Sequence, residues 1–415
     1  MRKLLRKLWN DDRGNALLIA GAALPLLIGS AGLASDTVQW TLWKRQLQRA
    51  ADSAALAGVY AKVQDAAGQT ASQAVDADLL VNNHTNIPLL GGYPEVTFPT
   101  AANWKNGVKV KLALQKELGF SSVFMSSPPV IIAEATAATI DSGVYCVVSL
   151  EESSATGITA TGNGSIDLGC GMITNSSSIT AAIATGSADV HATPIAAVGY
   201  IKESDNWNGA ELLPLALNQE DPFKDVNPTT AGCPGAQLKI NANQTQTVSP
   251  GCYSKIVFDG DVTMADGTYI IDGGDLTIGA QAKVNCNSCT FVLTNSSSGS
   301  TAPIGSVTIN GGADLNLSAP GAGTYKDILF YQDRRASWTG GNVNKINGDS
   351  GSTFKGALYF PSQQLQINGT AGLTFDCGRF VARKVEFAGD GSLTNTCPGG
   401  YGDGSIMGKH VRLVG

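Results

Sequence analysis

The stretch that decides the fold of the N-terminal region is ALLIAGAALPLLIGSAGLAS, residues 16–35. No side chain between residues 14 and 35 is charged. At a rise of about 1.5 Å per residue, about twenty helical residues cover the roughly 30 Å of a bilayer's hydrocarbon core. The sequence therefore predicts a transmembrane helix over 16–35. The alternative is a secretory signal cleaved after Ala34, but the apolar run exceeds the roughly 7–15 residues of a signal core.

The charges on either side of this run predict its orientation. Basic residues are more numerous before it than at a comparable distance after it: Arg2, Lys3, Arg6, Lys7 and Arg13, against Lys44, Arg45 and Arg49. Cytoplasmic flanks of membrane helices are enriched in Lys and Arg. We therefore expect residues 1–15 to be a cytoplasmic basic segment, and the bulk of the chain to lie beyond the membrane, in the periplasm or outside the cell.

The helix is predicted to continue past the membrane, over residues 36–60, as an amphipathic extension. A stripe of apolar and small residues recurs there at spacings of three or four: Trp40, Trp43, Leu47, Ala51 and Ala54. This is the period of one helix face, and its small residues allow another helix to approach closely. The stripe packs either against the chain's own next segment or against a partner, and periodicity does not distinguish the two.

Two segments carry a family resemblance: RGNALLIAGAALPLLIGSAGLASDT at 13–37 and KRQLQRAADSAALAG at 44–58. Over about residues 13–60 the chain resembles the TadE/TadG-like proteins of tight-adherence (Tad, Flp) pilus assembly. Weaker similarity extends to 118–139 and to the β-rich C-terminal region. The resemblance implies a minor pilin-like or assembly protein of the bacterial inner membrane, whose N-terminal helix contacts other pilus-assembly or minor pilin proteins.

Residues 61–142 are predicted to form a small α+β stalk. In GVKVKLAL, residues 107–114, apolar side chains alternate with others, which is the pattern of a half-buried strand. Two or three such strands are expected to pack on the helix that leaves the membrane.

From about Gly143 the sequence changes to Gly, Ser, Thr and Asn interleaved with short apolar alternations such as Leu276/Ile278 and Val307/Ile309. Strands this short bury too little surface alone and must stack on neighbours. We therefore favour a right-handed parallel β-helix over a β-sandwich, whose strands are usually longer and need hairpin turns. Residues 143–200 and 256–415 are predicted as two solenoid segments, separated by an irregular Pro-rich insertion or joint at 201–255.

All eight cysteines lie beyond the apolar run, as expected of a protein in an oxidising compartment. Sequence order suggests four disulfides: Cys146–Cys170, Cys233–Cys252, Cys286–Cys289 and Cys377–Cys397. Eight cysteines allow 105 connectivities, so order alone supports these pairs. The Cys-x-x-Cys at 286–289 also suits a redox or zinc site, but no helix N-terminus or second ligand pair accompanies it.

Four aspartates are the best candidates for calcium ligands or paired catalytic carboxylates: Asp259, Asp261, Asp272 and Asp275. Asp next to glycine is more often a turn residue that bonds its own backbone. No phosphate-binding loop, nucleophile elbow or His-Glu-x-x-His motif occurs. We therefore predict no catalysis and no cofactor.

The net charge and two arginines limit the kinds of partner that we expect. The formal net charge of −6 argues against nucleic acid. The second hypothesis is an exported carbohydrate-binding or carbohydrate-active β-helix protein. Arg334 and Arg335, beside Phe330 and Tyr331, form either a stacking surface for a surface glycan or a solvated turn.

Overall fold

The computed structural model describes residues 13–64, 68, 70–81, 88–228, 233, 235–297, 299, 302–338, 341–349, 351–369 and 372–415. The chain divides into two compact units. The N-terminal unit comprises Met1–Ile140 with Val411–Gly415, and the β unit comprises Asp141–His410. The boundary at 140/141 lies two residues from the predicted end of the stalk.

The N-terminal unit contains one long helix, α1 (Arg13–Gln64), and a short helix, α2 (Ala71–Val81). Strands β1 (Glu95–Thr97), β2 (Lys105–Gln115) and the first part of β3 (Val130–Ser149) form an antiparallel sheet. Every second residue of β2 from Val108 to Leu114 is at most 2% exposed, as the alternating pattern predicts.

The C-terminal half of α1 packs on both α2 and β2. Gly58 marks the closest approach, because a methyl group there would lie 2.8 Å from Val108 Cγ1 and 3.1 Å from Val75 Cγ2. Glycine is therefore required at this crossing. The end of the chain joins the same unit, since Val414 N donates to Thr136 O at 2.8 Å. The predicted segment 256–415 thus loses its last five residues to the N-terminal unit.

Most strands that follow β3 are short, and β24 and β25, with 17 and 16 residues, are the long exceptions. In chain order the strands are β4 Ile158–Ala160, β5 Ser165–Asp167, β6 Gly171–Thr174, β7 Ala182–Ala184, β8 Asp189–His191, β9 Ile195–Ala197, β10 Leu212–Pro214, β11 Gln237–Ile240, β12 Thr245–Val248, β13 Gly251–Tyr253, β14 Lys255–Phe258, β15 Asp261–Met264, β16 Gly267–Asp272, β17 Leu276–Ile278, β18 Lys283–Cys286, β19 Cys289–Thr294, β20 Val307–Ile309, β21 Asp314–Ser318, β22 Ile328–Gln332, β23 Val343–Gly348, β24 Thr353–Gly369, β25 Leu373–Ala388, β26 Leu393–Thr396 and β27 Ile406–Leu413. Short 3₁₀ turns lie at Ser121–Val123, Asp205–Trp207 and Gly402–Gly404.

From β11 to β21, each strand pairs in parallel with the third strand that follows it, whereas β22 and β23 both pair with β24. In one series, Ile256 of β14 lies opposite Leu276 of β17, which lies opposite Val307 of β20. All three side chains are fully buried. Equivalent residues of successive strands therefore form continuous apolar columns, and the predicted short alternations are the inward positions of these columns.

The two predicted solenoid segments form one sheet. β25 pairs in parallel with β3 and β4, so that Phe380 lies opposite Val147 and Val385 opposite Ile158. Parallel pairing also extends into the predicted irregular stretch 201–255, because β10 pairs with β9 and pairing resumes at Gln237, opposite Lys255. Only long-range pairing sets these boundaries, and local composition does not report it.

Part of the Pro-rich stretch covers an outward face of the sheet. We call residues 216–228 the strap. Ala216 and Phe223 of the strap are buried in one apolar cluster with Val292, Tyr331 and Tyr359 of the sheet. The β unit therefore has an interior core and a second apolar layer beneath the strap.

Candidate membrane-anchor site

The first half of α1 exposes its large apolar side chains. Six of them are 56–75% exposed: Ile19, Leu24, Leu26, Leu27, Ile28 and Leu33. Among the described residues, one helical segment, Ile19–Gln64, is long and apolar enough to cross a membrane. An apolar surface of this extent on a single helix needs an apolar environment. Pro25 within the helix is tolerated in such a setting.

The second half of α1 is buried by the chain itself. Leu47, Ala51 and Ala54 of the predicted stripe are fully buried, whereas Trp40 is 41% exposed. Lys116 Nζ lies 4.9 Å from the ring centroid of Trp43. Of the two alternatives for the stripe, the structure gives these three buried positions to the chain's own packing, and leaves the side nearer the predicted membrane run accessible.

A loop is fastened to α1 where the apolar run ends. Asp36 is 4% exposed, and its carboxylate accepts hydrogen bonds from Phe120 N at 3.0 Å and from Ser121 Oγ at 2.6 Å. The Phe120 ring lies directly against Gly32, where a methyl group would overlap it. Sequence reasoning missed this junction; its one signal is that Asp36 is the first charge after the apolar run.

These features define a class of protein in which the first half of an N-terminal helix is exposed and apolar and the second half packs into a small domain. Such an arrangement is consistent with a membrane-anchored protein. Residues 14–74 match the family model Tad, described as putative Flp pilus-assembly TadE/G-like. The match covers α1 and the start of α2, and it confirms the resemblance predicted from the sequence.

Two other comparisons add little. No curated protein matches the chain. A solved structure, a glycosylated ice-binding protein from an Arctic yeast, is 13% identical and covers 61% of this chain and 90% of that chain, with a TM-score of 0.29. No inference about this protein rests on that likeness.

The four candidate calcium aspartates lie in strands or loops, and two of them accept hydrogen bonds from the backbone. Asp272 Oδ1 accepts from Ser296 N at 2.7 Å, and Asp275 Oδ1 accepts from Ser306 N at 2.9 Å. Burial alone would raise the pKa of Asp272, but its hydrogen bonds outweigh burial and hold the pKa below its ordinary value. Asp261 lies opposite Lys283 in neighbouring strands, and Asp259 follows β14. In the described part of the chain, no three His, Cys, Asp or Glu side chains are grouped so that they can hold a metal ion.

Disulfides are present in the β unit. The structure joins Cys146 to Cys170, Cys233 to Cys252, Cys286 to Cys289 and Cys377 to Cys397, with Cα atoms 5.8, 5.2, 6.0 and 4.3 Å apart. These are the pairs that sequence order suggests. Each closed loop contributes about 2–4 kcal/mol by restricting the unfolded chain.

Arg334 and Arg335 lie in a turn, and their partly exposed side chains bond other parts of the β unit. Arg334 donates to Val226 O at 3.0 Å and lies over the Tyr359 ring, 5.5 Å from its centroid. Arg335 forms an ion pair with Asp333, with 2.7 Å between Nη2 and Oδ2. Sequence alone places these arginines beside aromatic residues but does not show that the strap and a loop 40 residues away are their partners.

A cavity of about 600 Å³ lies beside a buried carboxylate in the β unit. Glu151 is 2% exposed and accepts from Arg383 Nε at 2.9 Å and from Ser153 N at 3.0 Å. Arg383 lies over the ring of Trp338, 5.1 Å from its centroid. Burial acts to raise the pKa of Glu151, but the opposing effect of the hydrogen bonds from Arg383 and Ser153 is larger. The pKa of Glu151 therefore lies below its ordinary value of 4.5.

This lowered pKa predicts an acid-dependent loss of stability. Glu151 stabilises the folded protein above pH 4.5, and the contribution is lost as the pH falls through its lower folded-state pKa. Glu151→Gln is expected to cost about 2 kcal/mol at pH 7, with a smaller further loss on acidification than in the wild type. Denaturant titration of the full chain at several pH values measures both quantities. The neighbouring exposed Glu152→Gln is the control, and an unchanged pH profile in Glu151→Gln would contradict the assignment.

Proposed function

We propose that this protein is a membrane-anchored structural component of a Tad (Flp) type pilus-assembly or adhesion apparatus, minor pilin-like, which acts by contacts rather than catalysis. The observation that carries the proposal is that the family match and the exposed apolar helix occupy the same residues. The family match at 14–74 falls on the helix whose first half exposes apolar side chains. The comparisons offer no comparable support for the alternative carbohydrate function.

The proposed location is the bacterial inner membrane, with a single pass over 16–35 and residues 1–15 in the cytoplasm. The basic bias before the apolar run supports this orientation. The disulfides support it as well, because all of them lie after α1 and require an oxidising compartment. The C-terminal bulk is then periplasmic or extracellular.

We propose that the β unit is a right-handed parallel β-helix that gives the exported part a rigid body. The parallel pairing of each strand from β11 to β21 with the third strand after it supports this architecture. Aromatic rings add to its core, since the Phe330 centroid lies 5.3 Å from that of Phe291 and 6.4 Å from that of Phe360. Such a body suits a role in display or adhesion.

Contacts with other assembly proteins are proposed for the accessible part of α1. Leu47, Ala51 and Ala54 are buried within the N-terminal unit and present no surface to a partner. The remaining candidates are the exposed membrane-run residues and Trp40, which is 41% exposed. Gly21 and Gly29, which have open space around their Cα atoms, allow another helix to approach.

The proposal predicts that a charge in the run abolishes anchoring. Leu26→Arg places a guanidinium at the centre of the predicted span, at a cost of about 3 kcal/mol for insertion. The variant is expected to leave the membrane fraction and to fail to restore piliation or surface adherence in a strain that lacks the protein. Leu26→Ile is the matched control. Normal piliation in the deletion strain would refute the assembly role, and full membrane retention of Leu26→Arg would refute the assigned span.

A further inference from the structure

We propose that Phe120–Met125, which we call the apolar loop, inserts into the lipid–water interface beside α1 and forms a second contact with the bilayer. The inference rests on the proposed anchoring of α1. The loop reads FSSVFM and lies within residues 118–133, none of which is charged. Its ligand is the lipid bilayer itself, recognised through apolar side chains rather than through a headgroup.

The loop presents apolar side chains that the N-terminal unit does not cover. Val123 and Phe124 are each 75% exposed, and Met125 is 47% exposed. The Phe120 and Phe124 rings are in contact, with centroids 5.3 Å apart, so Phe124 packs against the same ring that contacts α1. Three consecutive exposed apolar side chains at the tip of a loop form a patch suited to an apolar environment.

The fastening to α1 sets the depth of the loop. The carboxylate of Asp36 holds Phe120 N and Ser121 Oγ, and the Phe120 ring lies on Gly32. Gly32 is in the last turn of the predicted span 16–35, and Asp36 directly follows it. The exposed side chains therefore lie at the level where the hydrocarbon core ends, within the roughly 5–10 Å that interfacial segments reach into a membrane.

The residues beyond this level follow the order expected of an interface. Trp40 and Trp43 come one and two turns after Asp36, and Lys116 lies over the Trp43 ring at 4.9 Å. Trp side chains concentrate at the level of the headgroups, and lysines at helix ends extend toward them. Along the helix axis from the membrane outward, the apolar loop is thus followed by the two tryptophans, with Lys116 against the outer one. This continuity with the membrane run favours lipid as the occupant over a second protein.

The test uses photo-crosslinking at three positions of the full-length chain. p-Benzoylphenylalanine replaces Leu26, Phe98 or Phe124 in three separate proteins, each reconstituted in vesicles of phosphatidylethanolamine and phosphatidylglycerol. Phe98 is the matched control, since it is 50% exposed in the same unit. Its ring lies 5.0 Å from Lys62 Nζ, and residue 62 is about 39 Å along the helix from Asp36. After irradiation, mass spectrometry identifies adducts at each position.

We expect lipid adducts at positions 26 and 124 and no lipid adduct at position 98. Lipid at 26 without lipid at 124 would overturn the inference and leave the anchor intact. No lipid at 26 would overturn the anchor, and the inference with it. A protein adduct in place of lipid at 124 would assign the loop to a second copy of the chain and refute the lipid contact, and lipid at 98 as strong as at 124 would refute the assigned depth.

Discussion

Ala54→Arg is expected to unfold the N-terminal unit. Ala54 is fully buried on the face of α1 that packs on the chain's own α2 and β2. One turn later, Gly58 already approaches Val75 and Val108 so closely that a methyl group would lie within 3.1 Å of both. The guanidinium would be buried without a partner at a cost of several kcal/mol, a large share of the roughly 5–15 kcal/mol that stabilises a domain.

Hydrogen exchange of the full-length protein in detergent measures this effect. Amides of β2 and of the second half of α1 are expected to lose protection, while the first half of α1 stays helical in the micelle. Ala57→Arg is the matched control, because Ala57 lies on the same helix but is only partly buried. If Ala54→Arg keeps wild-type protection yet fails in assembly, the stripe faces a partner, and the packing described above is contradicted.

Elements with local signals were predictable from the sequence. The apolar run over 16–35 and the alternation from Val108 to Leu114 are properties of neighbouring residues, and the helix α1 and the strand β2 confirm them. The short apolar alternations likewise indicated an all-β region. Composition also located the change of character near Gly143, close to the unit boundary at 140/141.

Contacts between distant residues were not predictable. Phe380 pairs with Val147, and this pairing joins two segments that appear separate in the sequence. Asp36 binds the loop at Phe120, 84 residues away, and Asp221 binds Tyr359, 138 residues away. Periodicity carries no information on such partners because it reports which face of an element is buried, not what buries it.

The candidate site shows the same limit. The stripe was identified from spacing, but the choice between self-packing and a partner depends on α2 and β2, whose position the helix pattern does not encode. The sequence places Arg334 and Arg335 beside Phe330 and Tyr331, and in the structure Arg334 lies over the ring of a different aromatic residue, Tyr359. Their hydrogen-bond partners lie in the strap and in a loop of the β unit. Because these partners are distant in the sequence, the local sequence does not show that the two arginines connect separate parts of the β unit.

Asp221→Ala is expected to release the strap from the β unit. Asp221 Oδ2 accepts from the Tyr359 hydroxyl at 2.6 Å and from Arg334 Nε at 3.3 Å. Burial, and then the Asp221 carboxylate, raises the pKa of Tyr359, so the phenol stays protonated and continues to donate. Without Asp221 the Tyr359 hydroxyl loses its acceptor and the Arg334 guanidinium its counter-charge. Because the pair is partly exposed and Arg334 keeps its bonds to the strap backbone, the loss is expected to cost about 1–3 kcal/mol.

The loss should be confined to the strap, because its attachment is separate from the inward columns of the sheet. Phe223, whose ring lies 5.3 Å from that of Tyr359, would leave with it and expose the apolar layer beneath. Hydrogen exchange is therefore expected to rise over 216–228 while β14, β17 and β20 keep their protection. Glu220→Ala is the adjacent control, since Glu220 pairs with the exposed Lys224 at 2.7 Å and such exposed pairs contribute little. Asp221→Asn, which retains an acceptor for Tyr359 but not the charge, should fall between the two. Equal protection of the strap in all three variants would show that apolar burial alone retains it, because Tyr331, Tyr359 and Val292 then suffice without the carboxylate.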